Sequence, residues 1–207
     1  MAEFIHIHPE NPQARLLKKV SECLTAGGII AYPTDSAYAL GCRLEDRVAI
    51  ERIRKIRGID QRHHLTLVCR DLSEIATYAQ VDNRAFRFLK ARTPGAYTFI
   101  LTATKAVPRY FQCKSRKSIG LRVPDNRIVQ DLLLCYNHAI ASASLILPEQ
   151  QEPMHDPATI ADVLNHQIDL VIDGGYCGIE PTTVIDLCDG EPQVIRQGKG
   201  DVSDLIA

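Results

Sequence analysis

Residues 28–41, with the sequence GIIAYPTDSAYALG, constrain the fold more than any other stretch of the chain. The stretch opens with an apolar run at 29–32 that has the β-branched content of a buried strand. Pro33 has no N–H to donate to a sheet, so the strand is predicted to end or turn there. Hydroxyls and one carboxylate follow at once, carried by Thr34, Asp35, Ser36 and Tyr38. Because ligands bind just beyond strand ends in open α/β sheets, we expect this loop to line a binding site.

Patterns typical of helices and strands alternate along the rest of the chain. Helices are predicted from Asn11 as N-cap, with Pro12 as the first helical residue, to Gly27, from Asp46 to Gly58, over 83–92, from Asp125 through 132–134, and from Asp156 onward. Strands are predicted near the N-terminus around His6 and His8, and at 29–32, 65–69, 97–103, 119–123, 139–144, 169–172, 184–187 and 193–196. This order predicts an α/β fold: a single domain, residues 1–207, with a mixed parallel and antiparallel sheet flanked by helices.

The composition is that of an ordinary globular protein, with 45% apolar residues, 24% charged residues and a net charge of −1, so nothing global favours a nucleic-acid binder. Two segments are nevertheless basic. The first carries Lys105, Arg109, Lys114, Arg116, Lys117, Arg122 and Arg127. The second carries Arg43, Arg47, Arg52, Arg54, Lys55, Arg57, Arg62 and Arg70, partly offset by acidic residues. These segments form a positive face if they converge in space, and otherwise they are solvated helix and loop surface.

No signal peptide, membrane span or metal site is predicted. The N-terminal residues lack the basic and apolar regions of a signal peptide, and no apolar run is long enough to cross a bilayer. The seven cysteines form no C-x-x-C pair, and the pairs His6–His8 and His63–His64 have no further ligands at metal spacing. We therefore expect a cytoplasmic protein with small, buried, reduced thiols, no protein-bound metal and no membrane partner.

Lys55 and Arg57 are candidates for binding phosphate, because Arg offers a bidentate fork and Lys a compact mobile charge. At this spacing they point in different directions on a helix, so they converge only if the chain leaves the helix around 56–58. Cations at a helix C-terminus also complement the helix dipole without any ligand. Both interpretations stay open at this point.

Ser118 and Arg122 share one face of a predicted strand. An arginine flanked by Leu121 and Val123 is not expected to be buried without an anionic partner. Arg122 is therefore the strongest single candidate for a residue inside a binding site. Thr34 offers a hydroxyl to the same kind of ligand, although a threonine after a strand can also cap its own turn.

Several motifs together resemble those of the YrdC/YciO family, the threonylcarbamoyl-adenylate synthases and their relatives. The motifs, in the family's order, are YPTDSAYALG at 32–41, K-x-R at 55–57, PGAYTFIL at 94–101, GLRVP at 120–124, PTTVID at 181–186 and IRQG at 195–198. TDSAYALGC at 34–42 and LTLVCRDLSE at 65–74 resemble the YciO branch in particular. The matches extend over nearly the whole chain.

The resemblance implies a twisted α/β sheet with a concave basic cavity, and a reaction that joins ATP, L-threonine and bicarbonate into threonylcarbamoyl-AMP and pyrophosphate for tRNA modification. It implies that ATP, as a substrate with Mg²⁺, is held by Lys55, Arg57, Ser118, Ser142, Ser144 and Arg196, with Lys55 and Arg57 as the catalytic cations. It implies that the amino acid lies against Thr34, Ser36, Arg122, Thr182 and Thr183. Without the resemblance, the run from Thr182 to Asp186 is simply a good strand.

One stretch departs from the synthase pattern. Residues 142–149, SASLILPE, stand where synthases of the family carry S-x-S-A-N-x-S-G, so Ile146 replaces an asparagine. An aliphatic group makes none of the hydrogen bonds of an amide, and losing one to a charged ligand costs roughly 1.5–3 kcal/mol. We therefore expect a weak or diverged synthase. The alternatives are a double-stranded RNA or tRNA-binding protein without synthase activity, and an ATP-dependent enzyme that acts on another small substrate.

Overall fold

The computed structural model describes residues 1–60, 63, 65–113 and 117–205. The strands are β1 (Glu3–His6), β2 (Ile30–Tyr32), β3 (Ala39–Arg43), β4 (Thr66–Val68), β5 (Tyr97–Thr102), β6 (Ser118–Arg122), β7 (Ile140–Ser144), β8 (Leu170–Asp173), β9 (Thr183–Asp186) and β10 (Gln193–Arg196). The helices are α1 (Ala14–Thr25), α2 (Arg47–Arg57), α3 (Leu72–Tyr78), α4 (Asn83–Arg92), α5 (Arg127–Tyr136) and α6 (Pro157–Leu164).

All these strands form one sheet in the order β1-β8-β2-β3-β7-β4-β6-β5-β9-β10. The pairs β1/β8, β2/β8, β4/β6 and β5/β9 are parallel, whereas the other neighbours are antiparallel. The prediction of a mixed sheet with flanking helices in a single domain is therefore confirmed.

One face of the sheet is apolar along most of its length. The register aligns Leu67, Leu121, Phe99 and Ile185 across four neighbouring strands, and α2, α3, α4 and α6 cover them. The helices contribute Ile50, Ile53, Ile75, Leu89 and Ile160 to this core. Burying one such side chain stabilises the folded state by about 1.5–3 kcal/mol, so this face contributes much of the favourable free energy of folding.

The opposite face is divided into two halves. Over β1, β8, β2, β3 and β7, a second apolar cluster packs beneath α1 and α5, and Val68 of β4 is its last member toward β6. Beyond Val68 the same face carries mostly polar or small residues, with Ile100 opposite Gly120. The polar or small residues are Thr66, Ser142, Ser118, Gly120, Arg122 and Thr98. We call this set the polar face; it begins where the cover of α1 and α5 ends.

Several predicted element ends are confirmed. Asp46 caps α2 by accepting from the Ala49 N–H at 2.9 Å, and the helix ends at Gly58, which has the left-handed conformation (φ 62°). Asp156 caps α6, and α4 spans the predicted 83–92.

Two predicted N-caps are wrong. Helix α1 begins at Ala14, with Gln13 as N-cap, and Asn11 lies in a local turn in which its N–H donates to His8 Nδ1. Asn126, not Asp125, caps α5, because Asn126 Oδ1 accepts from the Val129 N–H at 3.2 Å. Strand β3 and helix α3 were not predicted from the sequence patterns.

The two basic segments converge in part. Arg54 Nη2 donates to the Tyr110 carbonyl at 3.5 Å, Arg47 lies over the Tyr110 ring at 6.0 Å, and the Tyr110 hydroxyl donates to Leu44 O at 3.1 Å. The segment that follows β5 thus packs on α2. Arg62, Lys114 and Arg116 lie outside the described residues.

Within the described residues no helix is long and apolar enough to cross a membrane. All seven cysteines are free, but only Cys42 and Cys69 are buried, and Cys135 is exposed, so the prediction of buried thiols is correct for those two alone.

Replacing Asp46 with alanine is expected to lower the free energy of unfolding by about 1 kcal/mol, because the N-cap of the helix that carries Lys55 and Arg57 is lost. Urea titration measures the change. Asp46→Ser, which keeps a capping oxygen, is the control and should retain most of the stability. Equal losses in both variants would contradict the capping role.

Candidate active site

Arg122 is the charged member of the polar face and lies at its border, beside Val68. It ends β6 and is only 6% exposed, as expected for an arginine with a buried anionic partner. That partner is Asp35, whose Oδ1 accepts from Arg122 Nη2. The same nitrogen lies 3.1 Å from Ser36 Oγ and 3.5 Å from Thr34 Oγ1. Among the described residues, Arg122 Nε is buried and has no hydrogen-bond partner.

The loop 33–38 connects β2 to β3 and turns on Thr34. The Thr34 hydroxyl donates to the Ala37 carbonyl at 2.6 Å and accepts from the Ser36 and Ala37 N–H groups at 3.2 Å each. It therefore caps its own turn, as the alternative interpretation predicts, and faces Arg122 as well. A Cβ at Gly178 would lie 2.8 Å from the Ser36 carbonyl, so only glycine allows the neighbouring segment to approach this loop so closely.

Tyr38 serves the fold rather than a ligand. Its ring is fully buried, and its hydroxyl donates to the Gly175 carbonyl at 2.9 Å and lies 3.3 Å from the Gly174 N–H. The hydroxyls of Thr34 and Ser36, by contrast, stay beside Arg122.

The predicted nucleotide residues Ser118, Ser142 and Ser144 lie on the strands β6 and β7, the first two buried and the third half-buried. The Ser142 hydroxyl lies 2.6 Å from the Tyr32 hydroxyl and donates to the Leu40 carbonyl at 3.1 Å. Tyr32 therefore donates to Ser142. Burial raises the pKa of Tyr32 to about 12.

Thr182, Thr183 and Arg196 come together where the chain leaves β10. Arg196 Nη2 donates to the Thr182 carbonyl at 2.9 Å, and burial lowers the pKa of this arginine. The Thr182 hydroxyl lies 2.9 Å from that of Thr98 on the polar face. The Thr183 hydroxyl turns away and donates to the Gly200 carbonyl at 2.6 Å.

Lys55 and Arg57 both lie in the last turn of α2. Lys55 is exposed, whereas Arg57 is 9% exposed and donates from Nη1 to the Ile146 carbonyl at 2.7 Å. Burial lowers the pKa of Arg57. A Cβ at Gly58 would lie 2.9 Å from Pro148 Cγ, so the end of α2 packs on the segment that departs from the synthase pattern. Arg57 thus holds the backbone of Ile146, whose side chain replaces the asparagine.

Four residues of the site were not among the predicted site residues: Tyr32, Asp35, Thr98 and Lys199. Lys199 donates from its ammonium to the main-chain carbonyl of Asp35. The sequence could have indicated Lys199, because this residue directly follows the IRQG motif. No cluster of His, Cys, Asp or Glu able to hold a metal ion is found in the described part of the chain, and the absence of a protein-bound metal stays a prediction.

Tyr32→Phe tests the buried hydroxyl pair through its pH dependence. Because the native pKa of Tyr32 is raised from 10.0 to about 12, the neutral phenol stabilises the folded state fully below pH 10, and this contribution is lost as the pH rises toward 12. We expect Tyr32→Phe to be about 1 kcal/mol less stable than the unmodified chain at pH 8, with the difference shrinking above pH 10.

Urea unfolding at several pH values measures both effects. Tyr176→Phe, at an exposed tyrosine, is the matched control and should change stability at no pH. A Tyr32→Phe deficit that stays constant from pH 8 to pH 11 would contradict the pKa shift.

The chain is similar to known proteins over most of its length. A family model for Sua5, YciO and YrdC, described as telomere recombination, matches residues 22–198. An uncharacterized protein of Haemophilus influenzae is 54% identical over 207 residues, which is 100% of both chains. YciO of Escherichia coli, also uncharacterized, is 52% identical over 206 residues and 100% of both chains.

Solved structures agree with the fold described above. The crystal structure of E. coli YciO superposes with a TM-score of 0.95 at 53% identity, covering 98% of each chain. P. abyssi Sua5 complexed with L-threonine superposes with a TM-score of 0.86 over 94% of this chain and 57% of that one. At 24% identity the second likeness concerns the fold alone.

Proposed function

Because the chain belongs to the family of Sua5, YciO and YrdC proteins, we propose that it is an ATP-dependent enzyme related to the threonylcarbamoyl-adenylate synthases. In this proposal it joins a small amino acid, bicarbonate and ATP into a carbamoyl-adenylate: the amine and bicarbonate give a carbamate and water, and the carbamate oxygen then displaces pyrophosphate from ATP. The observation that carries the proposal is Arg122, a buried cation beside the hydroxyls of Thr34 and Ser36.

The amino acid is proposed to bind around Arg122. A guanidinium in a site of low dielectric forms a strong pair with a carboxylate, and nearby hydroxyls can select a side chain that carries a hydroxyl of its own. Thr182 is proposed to form the opposite side of this subsite; its carbonyl accepts from Arg196 and its hydroxyl bonds to that of Thr98. The Thr183 hydroxyl donates to Gly200 and so fixes the backbone next to Thr182. L-threonine, the ligand in the P. abyssi Sua5 structure, has both groups and is the amino acid we propose.

ATP is proposed to bind with its phosphates near the end of α2, where Lys55 is exposed, and to extend over Ser118, Ser142 and Ser144 toward Arg196. Mg²⁺ enters with ATP as part of the substrate. Catalysis then consists of positioning the two reactants and neutralising phosphate charge. The engagement of Arg57 with the Ile146 carbonyl leaves Lys55 as the more available cation, which favours a slow or diverged enzyme.

The direct test mixes the purified protein with MgATP, L-threonine and bicarbonate and detects threonylcarbamoyl-AMP by mass spectrometry. Arg122→Ala and Lys55→Ala are each expected to lower product formation at least about tenfold, because each removes a charge-assisted hydrogen bond. Lys90→Ala is the matched control: Lys90 lies on α4, which packs on the apolar face of the sheet and not on the polar face, so the variant should retain full activity.

Thermal unfolding of each variant separates lost chemistry from lost folding. A folded protein that binds ATP but forms no product would contradict the synthase assignment and favour another small substrate. A folded protein that binds no ATP but binds tRNA or double-stranded RNA, with strong salt dependence, would favour the RNA-binding alternative.

Ile146→Asn restores the amide that synthases of the family carry. We expect it to tighten ATP binding about tenfold, because one hydrogen bond to a charged ligand is worth roughly 1.5–3 kcal/mol. Isothermal titration with a non-hydrolysable ATP analogue measures the change. Ile146→Leu is the control with no new hydrogen bond. Equal affinity in the asparagine and leucine variants would show that this position does not touch the nucleotide.

A further inference from the structure

Asp35 covers the guanidinium of Arg122. The side chain of Arg122 is 7% exposed and that of Asp35 is 10% exposed. Arg122 Nη2 already faces acceptors from Asp35, Ser36 and Thr34, and Nε is buried. A carboxylate that enters from solvent therefore takes the position of Asp35 on Nη2 only after the carboxylate of Asp35 has moved aside.

Moving Asp35 carries an energetic penalty unless a new partner is at hand, because a carboxylate left unpaired in a nearly buried site is strongly destabilising. Among the described residues, its second oxygen accepts from the Asp125 N–H alone, at 3.0 Å. The displaced carboxylate therefore needs another positively charged partner close by.

Lys199 is placed to receive it. The ammonium donates to the main-chain carbonyl of Asp35, a neutral acceptor that does not compensate its charge. The carbonyl and the carboxylate belong to one residue, so rotation about χ1 moves the carboxylate relative to an ammonium that is already in place. The long, flexible stem of Lys199 follows such a movement at little cost.

The backbone of Lys199 is fixed beside the same subsite. Its N–H donates to the Pro181 carbonyl at 2.9 Å, and the Gly198 N–H donates to Thr183 Oγ1 at 3.0 Å. A Cβ at position 198 would lie 2.2 Å from the Pro181 carbonyl, so glycine is required for this approach.

The half-buried thiol of Cys177 lies near the same charged residues, which act on its pKa. Burial raises its pKa to about 11, its S–H donates to the Thr34 carbonyl, and Lys199 and Arg122 act on the pKa with the opposite sign to Asp35. All three charges therefore lie around one short stretch of the loop.

We propose that Asp35 is an internal substitute for the substrate carboxylate and that it exchanges its partner, from Arg122 to Lys199, when a carboxylate ligand binds Arg122. The proposal rests on the proposed function of Arg122 and adds a new role for two positioning residues. Before and after the exchange, both Arg122 and Asp35 have a partner of opposite charge. The subsite is thereby closed to weak anions and opened by ligands that bind Arg122 better than Asp35 does.

The test is isothermal titration of L-threonine and of 3-hydroxybutyrate, which has the same carboxylate but no amine. The ligands are titrated into five proteins: the unmodified chain, Asp35→Asn, Lys199→Met, Lys199→Arg and the double variant of Asp35→Asn with Lys199→Met. Asp35→Asn is expected to tighten both ligands by a similar factor, roughly tenfold, because Arg122 is no longer occupied by an anion. Lys199→Met is expected to weaken both at least about threefold, and Lys199→Arg to restore them.

The double variant is decisive. Without a carboxylate at position 35 there is nothing for Lys199 to receive, so Lys199→Met is expected to have no further effect in the Asp35→Asn background. Matched controls are Asp131→Asn, which breaks an ion pair with Arg127 on the surface of α5, and the exposed Lys90→Met; neither should change affinity.

Three results would overturn the exchange. Weaker L-threonine binding by Asp35→Asn, with 3-hydroxybutyrate unaffected, would show that Asp35 contacts the ammonium of the ligand. An equal effect of Lys199→Met in both backgrounds would show that Lys199 binds the ligand itself. No binding of either ligand by any of the proteins would overturn both the exchange and the proposed function. Binding of 3-hydroxybutyrate alone, tightened by Asp35→Asn, would support the exchange and reject threonine as substrate.

Discussion

Arg122 lies on β6, between β4 and β5, where its guanidinium is always charged and always needs an acceptor. Much of the surrounding structure follows from that need. The loop 33–38 turns back over β6 so that a carboxylate and hydroxyls reach the charge. Gly120, on the same strand face, leaves Thr66 and Thr98 close together, since a Cβ there would lie 3.3 Å from a side-chain atom of each. Arg122 is buried, is paired with Asp35 and keeps an Nε without a partner among the described residues, which makes it a candidate for a binding residue.

Helices cover the sheet face that carries Arg122 unevenly, and this leaves a polar surface around the cation. Helices α1 and α5 bury one half of the face that carries Arg122, and their apolar cluster ends at Val68. The other half carries mainly hydroxyls, a glycine and Arg122 itself, which contribute little to apolar burial but can bind a polar ligand. The apolar face with α2, α3, α4 and α6 supplies the stability that allows this half to remain polar.

Local patterns were sufficient to predict most elements, because caps and periodicity act over a few residues. Helix α4 and strand β10 have the predicted bounds, and Asp46 and Gly58 delimit α2 as expected. Strand β3 was missed because it begins inside the motif that was interpreted as a loop. Helix α3 buries only Ile75, so its periodicity is weak, although the capping box from Asp71 to Glu74 was a usable signal. The contacts that define the site were beyond local patterns: Asp35 lies 87 residues from Arg122 and 164 from Lys199.

We propose the guanidinium of Arg122 as the anchor for a substrate carboxylate. A crystal structure of the protein grown with L-threonine and a non-hydrolysable ATP analogue tests this role. We expect the amino-acid carboxylate on Arg122, the threonine hydroxyl toward Thr34 and Ser36, and the carboxylate of Asp35 turned to Lys199. An amino acid bound elsewhere, with the Arg122–Asp35 pair intact, would contradict it.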